Sequence, residues 1–305
     1  MRAIATGLCS KSLIRFSCFV SAKNLLILRL IVAQVDVHDQ ISMNQKAASS
    51  SLLPSTVALP HALPGIDWFE IEEDPFFAKD LEQMARATNY RRWQFQIVAP
   101  HVRGSVLEVG GGIGNFTPEL ARLSNSVVSL EPNADCHRQL LEKTRSLENV
   151  TVHNITAEAL DDRLGADYAA DTVVCMNVLE HIKDDEAAVR TFSKRLKPGG
   201  KLVLLVPGVQ SLFGDIDRRL GHYRRYSKAS ARALLEKAGL VPVEIRYFNF
   251  IGLWGWFWNA RVTRRISQSD AQILFFDKFI VPWLSRLESV VPAPVGQSLL
   301  VVARR

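Results

Sequence analysis

The chain has 305 residues, 48% of them hydrophobic, with a formal net charge of +6 and four cysteines. This length suits one core domain with extensions better than two equal domains. The cysteines show no C-x-x-C spacing, which argues against a zinc site and a disulfide framework and favours a reducing, cytoplasmic setting.

The N-terminal residues differ in composition from the rest of the chain. Residues 1–35 contain five basic residues and no acid, as targeting peptides do. A mis-assigned start, with Met43 as the true first residue, or a disordered extension explains them better. Residues 43–66 are rich in Ser, Ala, Pro and Leu and are typical of a linker. We therefore expect an extension and linker over residues 1–66 and one domain over residues 67–305.

Helix and strand signals alternate along this domain. Residues 74–88 and 90–99 are predicted to form two helices before the first strand. Apolar runs then predict seven strands, at residues 105–109, 127–131, 150–154, 171–176, 200–206, 241–247 and 298–303. The alternation predicts an α/β fold, with a parallel sheet and helices on both faces.

A glycine-rich loop follows the first predicted strand. Its pattern is E-x-G-x-G-x-G, formed by Glu108, Gly110, Gly112 and Gly114. Glycines let a ligand approach the backbone closely, so a strand that leads into such a loop and then a helix predicts a nucleoside cradle. A dinucleotide fingerprint would require a glycine at position 115, where Asn115 stands.

An acid ends the second predicted strand, about twenty residues after the first glycine. This acid is Glu131, and Pro132 next to it suits the first turn of a helix. In this architecture, an acid at that place holds both ribose hydroxyls. Together with the glycine loop, Glu131 predicts cofactor binding.

These motifs resemble those of class I S-adenosylmethionine-dependent methyltransferases of the type 11/12 kind. Residues 171–182 are similar to the fourth strand and following loop of that family, and residues 196–202 to the turn into its fifth strand. The resemblance implies a Rossmann-like, seven-stranded methyltransferase sheet of order 3-2-1-4-5-7-6. In this chain we expect a helical insertion between strands 6 and 7. The resemblance also implies S-adenosyl-L-methionine as the cofactor.

The resemblance also implies roles for single residues. Glu108 and the glycines 110–114 would face the methionine part of the cofactor, Glu131 the ribose, and Asn177 the cofactor edge through its backbone. Thr156 and Ala157 lie where many relatives have an acid that contacts the adenine amine, and Thr156 would replace that acid weakly.

The segment after the fifth strand, residues 215–226, carries the predicted catalytic residues His222, Arg225 and Tyr226. His222 can accept a proton near neutral pH, and Arg224 or Arg225 can hold an anionic substrate. A basic surface loop with a structural histidine is the alternative. The G-H-Y-R-R-Y stretch resembles uncharacterised bacterial methyltransferases, some of them fused to or encoded beside family 2 glycosyltransferases.

An aromatic insertion, residues 249–296, separates the last two predicted strands. Residues 251–258 contain three of the six tryptophans, and residues 274–291 continue with apolar and aromatic side chains. Neither run is long enough to span a bilayer. Four interpretations remain: a substrate lid, a dimer surface, a peripheral membrane contact through residues 250–290, and extra helices packed on the core.

The resemblance predicts a methyltransferase but does not name its substrate. The arginines of residues 215–226 favour a small anionic acceptor, and the aromatic insertion favours one that is linked to a lipid or glycan. The net charge also suits RNA, but the loop Asn177-Val178-Leu179-Glu180 lacks the Asn/Asp-Pro-Pro-aromatic signature of nucleobase amine methylation. The alternatives are a non-catalytic S-adenosylmethionine-binding partner or regulator, an RNA methyltransferase, and an aminopropyltransferase on the same fold.

Overall fold

The computed structural model describes residues 75–156, 159, 163–165, 167–258 and 269–305. All of them belong to one compact unit, residues 61–305. The boundary predicted at residue 66 and the predicted site residue Ala157 lie outside the described residues.

A seven-stranded sheet forms the centre of the domain, with strand order β3-β2-β1-β4-β5-β7-β6. Strands β1 to β5 pair in parallel, and β7 is antiparallel to both of its neighbours. The predicted order is therefore confirmed. The strands are β1 (Ser105–Val109), β2 (Ser126–Leu130), β3 (Val150–His153), β4 (Ala170–Met176), β5 (Leu196–Pro207), β6 (Val241–Phe248) and β7 (Ser298–Arg304).

Helices cover both faces of this sheet. They are α1 (Pro75–Arg86), α2 (Thr88–Val98), α3 (Thr117–Leu123), α4 (Ala134–Thr144), α5 (Asp185–Lys194), α6 (Asp215–Arg219), α7 (Lys228–Lys237), α8 (Phe250–Phe257), α9 (Asp270–Phe275) and α10 (Val281–Val290). A π-helical turn, Phe276–Ile280, joins α9 to α10. No helix in the described part of the chain is long and apolar enough to cross a membrane.

Each face of the sheet has its own apolar core, because the central strands are buried on both sides. On one face, α5 and α7 pack through side chains that include Phe192 and Leu235. On the other face, α2, α3 and α10 pack around Trp93 and Phe248, whose rings meet edge to face at 5.4 Å. Helix α10 of the insertion thus contributes to the core.

Two predicted elements differ from the observed ones. Strand β5 begins at Leu196 instead of residue 200, because Leu196 pairs with Ala170 across a register shift. The segment 215–226, predicted as a loop, begins with the short helix α6, whose first turn is capped by the Asp217 carboxylate: its Oδ2 accepts from the Gly214 N–H at 3.0 Å.

Candidate active site

The glycine loop lies at the carboxyl end of β1. Gly110, Gly112 and Gly114 have φ angles of 78°, 55° and 74°, a region that favours glycine. A Cβ on Gly110 would lie 2.3 Å from Val178 Cγ2. All three predicted cofactor glycines therefore have backbone conformations that favour glycine, and Gly110 requires glycine also for the close contact with the loop after β4.

The helices before β1 cover this loop. A Cβ on Gly112 would lie 3.8 Å from the side chain of Leu81 on α1. Arg91 of α2 donates from Nη1 to the carbonyl oxygen of Asn115 at 3.1 Å. The space over Gly112 is thus bounded by α1, and α2 is tied to the end of the loop.

Glu131 lies at the carboxyl end of β2, beside the glycine loop. Its Oε2 accepts from the Gly112 N–H at 2.7 Å, and its Oε1 accepts from the Asn133 N–H at 3.0 Å. The Asn154 side chain donates to the Glu131 carbonyl at 2.8 Å. These bonds fix the carboxylate at the place where the sequence predicts the ribose acid.

Glu108 is buried beneath the same loop. Its Oε2 accepts from the hydroxyls of Thr117 at 2.7 Å and Ser129 at 2.6 Å, which joins β1, β2 and α3. Burial raises the pKa of Glu108, against the effect of these two hydroxyls. Its predicted contact with the methionine part stays a prediction, as does the predicted adenine contact of Thr156, which is half-buried just after β3.

Among the described residues, three that are not glycine have left-handed backbones, and each follows the carboxyl end of a strand. They are Asn177 after β4, Val209 after β5 and Asn249 after β6, with φ angles of 54°, 65° and 64°. Such conformations cost about 1 to 3 kcal/mol each and cluster at functional sites. Strain therefore accumulates at the edge of the sheet where open α/β folds bind ligands.

A second polar cluster lies past β5, and its centre is Asp217. Oδ1 of this buried carboxylate contacts Nδ1 of His222 at 3.0 Å and accepts from Nε of Arg225 at 2.8 Å. The Arg225 guanidinium lies 4.3 Å from the ring centroid of Trp256 on α8, and its Nη1 donates to the Gly208 carbonyl at 3.3 Å. As placed, Arg225 faces inward and is bound by protein groups.

The electrostatics of this cluster keep Asp217 ionised. Burial alone would raise the pKa of Asp217, but the hydrogen bond from His222 and the charge of Arg225 lower it below its usual value. Burial also lowers the pKa of Arg225, against the effect of Asp217. A negative carboxylate thus stands behind Nδ1 of His222 and favours the tautomer with its proton on that nitrogen.

Two further titratable residues, Glu180 and His181, face the same cluster from the turn after β4. The rings of His181 and His222 meet edge to face at 4.7 Å. Burial raises the pKa of Glu180 to about 7 and lowers that of His181 to about 3, so His181 is neutral. Among the described residues, one ligand atom each from Glu180, His181 and His222 lie within 4.8 Å of one another, a carboxylate–imidazole set that transition metals accept.

Tyr226, the third predicted catalytic residue, belongs to the core. Its side chain is buried among apolar residues, and its hydroxyl donates to Asp185 Oδ2 at 2.9 Å. Burial raises the pKa of this hydroxyl. The observed contacts are those of a residue that joins the segment after β5 to the start of α5.

The loop after β4 links the glycine loop and Glu131 to the polar cluster around Asp217. Val178, next to Asn177, packs against Gly110, and the Tyr223 N–H donates to the Glu180 carbonyl at 2.8 Å. The glycine loop, the turn after β4 and His222 therefore lie in sequence around one edge of the sheet. Sequence reasoning identified His222 but assigned no role to Asp217, Glu180 or His181.

Comparison with known proteins identifies the family of the chain. The methyltransferase domain family matches residues 76–245, more than half of the chain. The chain belongs to the class I S-adenosylmethionine-dependent methyltransferase family. S-adenosylmethionine is the cofactor of this methyltransferase domain.

Curated relatives of this methyltransferase domain include ubiquinone biosynthesis O-methyltransferases. One from Xanthomonas euvesicatoria pv. vesicatoria is 32% identical over 152 residues, which cover 44% of this chain and 62% of the relative. One from Ralstonia nicotianae is 28% identical and covers 52% of this chain and 72% of the relative. The chain thus spans about three fifths of the length of the first of these relatives.

A solved structure shows the same fold. It is a complex between the Haloferax volcanii Trm112 methyltransferase activator and a methyltransferase. The matched chain has a TM-score of 0.52 and 16% sequence identity to this chain, and the match covers 76% of this chain and 98% of that chain.

The residues around the glycine loop fit the cofactor. Gly112 leaves a space that a Cβ would enter, and the Glu131 carboxylate is fixed at its side by the Gly112 N–H. A carboxylate beside a glycine-rich backbone cradle can accept hydrogen bonds from ribose hydroxyls, as in other nucleoside-binding folds. Gly112 and Glu131 would thus hold the cofactor.

Proposed function

We propose that this methyltransferase transfers a methyl group to a hydroxyl oxygen of a small-molecule acceptor, with His222 as the proton acceptor. The observation that carries the proposal is the contact of His222 Nδ1 with the buried Asp217 carboxylate. The names of the curated relatives, which are O-methyltransferases, support oxygen as the acceptor atom.

A hydroxyl acceptor needs what this pair provides. Bound S-adenosylmethionine supplies a methyl group on a positively charged sulfur. A neutral alcohol or phenol must lose its proton as its oxygen is methylated, so a base near neutral pH is required. With the Nδ1 proton held by Asp217, His222 keeps its Nε2 lone pair for that proton. His222 is a tenth exposed, which leaves it open to an acceptor and largely shielded from water.

Arg225 is a positioning residue in this proposal and not an anion clamp. An acceptor anion would have to displace Asp217 and the Gly208 carbonyl from the guanidinium. Arg224 is also engaged, since it contacts Asp185 and donates to the Lys183 carbonyl. We therefore propose a neutral acceptor hydroxyl, and the anionic acceptor expected from the sequence loses the two arginines on which it depended.

The experiment measures methyl transfer from labelled cofactor to a panel of phenols and alcohols, with RNA as a further acceptor. His222→Ala should lower turnover on neutral acceptors by about 10²-fold, the usual contribution of a general base. The loss should be smaller for acceptors already ionised at the assay pH. His101→Ala is the matched control, because His101 lies before β1 at the opposite edge of the sheet, paired with Glu244.

The outcomes separate the alternatives. Turnover on RNA alone would replace the proposal with RNA methylation, and cofactor binding without turnover on any acceptor would replace it with a regulatory role. Full activity in His222→Ala would overturn the assignment of the base. An arm with a chelator and added divalent cations tests whether Glu180, His181 and His222 act through a metal: a loss of turnover that added metal restores would make His222 a ligand instead of the base.

A further inference from the structure

The helix that runs from α9 through the π-helical turn into α10 carries two of its three acids, Asp277 and Glu288, on the buried side. Asp277 is 5% exposed, and its Oδ1 accepts from the Tyr90 N–H at 2.7 Å, in the first turn of α2. Glu288 is 7% exposed and accepts from the N–H groups of Asn249 and Phe250, both at 2.8 Å, where α8 begins. Each acid thus stabilises the N-terminus of another helix, where anions are favoured.

The opposite side of the same helix is apolar and exposed to solvent. Its members are between 40% and 79% exposed: Phe275, Phe279, Trp283, Leu287 and Val290. Their spacing of three or four residues places them along one side of the helix. This helix therefore has apolar side chains on its buried side, such as Val281 and Leu284, and on its exposed side as well, whereas an ordinary surface helix has a polar outer face.

Helix α8, next to the active site, also has apolar side chains on its exposed side. Leu253 and Trp256 are buried against the segment that includes α6, and Trp256 lies on the Arg225 guanidinium. The side chains of Trp254, Phe257 and Trp258 are 40% to 58% exposed. We call the exposed side chains of α8 and of the α9–α10 helix the aromatic face.

In sequence, basic residues outnumber acids in the segment that contains the aromatic face. Residues 250–291 contain five basic residues and three acids, and two of those acids are the buried Asp277 and Glu288. Lys278 and Arg286 are exposed on the α9–α10 helix. The other three basic residues, all arginines, are in the sequence of residues 259–268, which lie outside the described residues.

We propose that the aromatic face docks this methyltransferase on an anionic phospholipid bilayer. Aromatic and aliphatic side chains between basic residues are the composition of helices that lie in the membrane–water interface. The basic residues match the negative headgroups. A second copy of the chain would bring two basic faces together, so the bilayer is the better occupant on charge.

This docking would place the membrane beside the acceptor end of the site. Helix α8 contacts the lipid with its outer side and covers the Asp217–Arg225 pair with its inner side. A bilayer-embedded acceptor could then reach His222 without crossing bulk water. The docking itself does not depend on the identity of the acceptor, so the two proposals can fail separately.

Flotation of the full chain with vesicles tests the docking. Vesicles of phosphatidylcholine with about one third phosphatidylglycerol should bind the protein, and pure phosphatidylcholine vesicles should bind it at least about tenfold more weakly. The double variant Phe279→Ser/Trp283→Ser should lose at least about tenfold in binding to the anionic vesicles. Leu123→Ser/Leu141→Ser is the matched control, since these leucines of α3 and α4 are 46% and 45% exposed and lie outside the aromatic face.

The results discriminate between occupants. Cofactor affinity and thermal unfolding should be unchanged in both double variants, which shows that they are folded. Equal vesicle binding by wild type and Phe279→Ser/Trp283→Ser would overturn the proposal, and so would the absence of binding to any vesicle. A wild-type dimer in light scattering that the same variant converts to a monomer, without vesicle binding, would assign the face to a second copy.

Discussion

The buried pair Asp217–Arg225 allows stability and catalysis to be separated. Removing one member of a buried ion pair costs about 3 to 5 kcal/mol, because the other charge is left without its partner. Asp217 is fully buried and Arg225 almost so. Asp217→Asn should therefore lower the free energy of unfolding by about 3 to 5 kcal/mol, and it should lower turnover by about 10²-fold because His222 loses the carboxylate behind Nδ1.

A second substitution should restore stability but not turnover. In Asp217→Asn/Arg225→Met, a methionine can occupy the face of Trp256 and no unpaired charge remains. Replacing a buried pair by packed apolar groups is often neutral, so the double variant should regain at least about 2 kcal/mol. Turnover should stay low, because His222 still lacks Asp217.

Urea unfolding followed by circular dichroism measures the first quantity, and steady-state methyl transfer the second. Asp215→Asn is the matched control on the same helix. Its ion pair with Arg218 is exposed, so its loss should change stability by less than about 1 kcal/mol. Recovery of turnover together with stability in the double variant would refute the reasoning, since Asp217 would then serve the fold alone.

Two further predictions concern the glycine loop and the turn after β4. Gly110→Ala should destabilise the protein and weaken cofactor binding, because its Cβ would lie 2.3 Å from Val178; unfolding and calorimetric titration measure both effects, and an unperturbed variant would contradict the geometry of the loop. Burial raises the pKa of Glu180 from 4.5 to about 7, so the wild type binds an extra proton when folded and loses stability as pH rises between these values. Glu180→Gln should remove that loss, and its stability relative to the wild type should rise by about 3 kcal/mol from pH 4 to pH 8; a pH-independent difference would show that Glu180 titrates normally.

The sheet and the cofactor cluster could be predicted because their signals are local. The spacing of residues within about 25 positions was enough to predict strand β1, the glycine loop Gly110 to Gly114 and the acid Glu131. The strand order followed from the resemblance to the family. The contact of Asp217 with His222 could not be predicted in the same way. It depends on a single helical turn, α6, within a segment that has the composition of a loop.

The inward direction of two acids was also beyond the sequence. Acidic residues such as Asp277 and Glu288 are expected to face solvent. They are buried because they accept hydrogen bonds from the N-termini of α2 and α8, which come from distant parts of the chain. Tertiary contacts therefore decide which side of the α9–α10 helix is exposed. Hydropathy alone does not contain that information, so four interpretations of the insertion were compatible with the sequence.

The most direct test of the account is calorimetric titration of S-adenosylmethionine into the wild type and into Glu131→Ala. Charge-assisted hydrogen bonds that the ribose hydroxyls donate to a carboxylate are worth about 1.5 to 3 kcal/mol each, so the variant should bind at least about tenfold more weakly. Glu148→Ala is the control, an exposed acid before β3 at the opposite edge of the sheet. Weaker binding in Glu131→Ala alone is the predicted result, and unchanged affinity in a folded Glu131→Ala protein would contradict the assignment of the cofactor site.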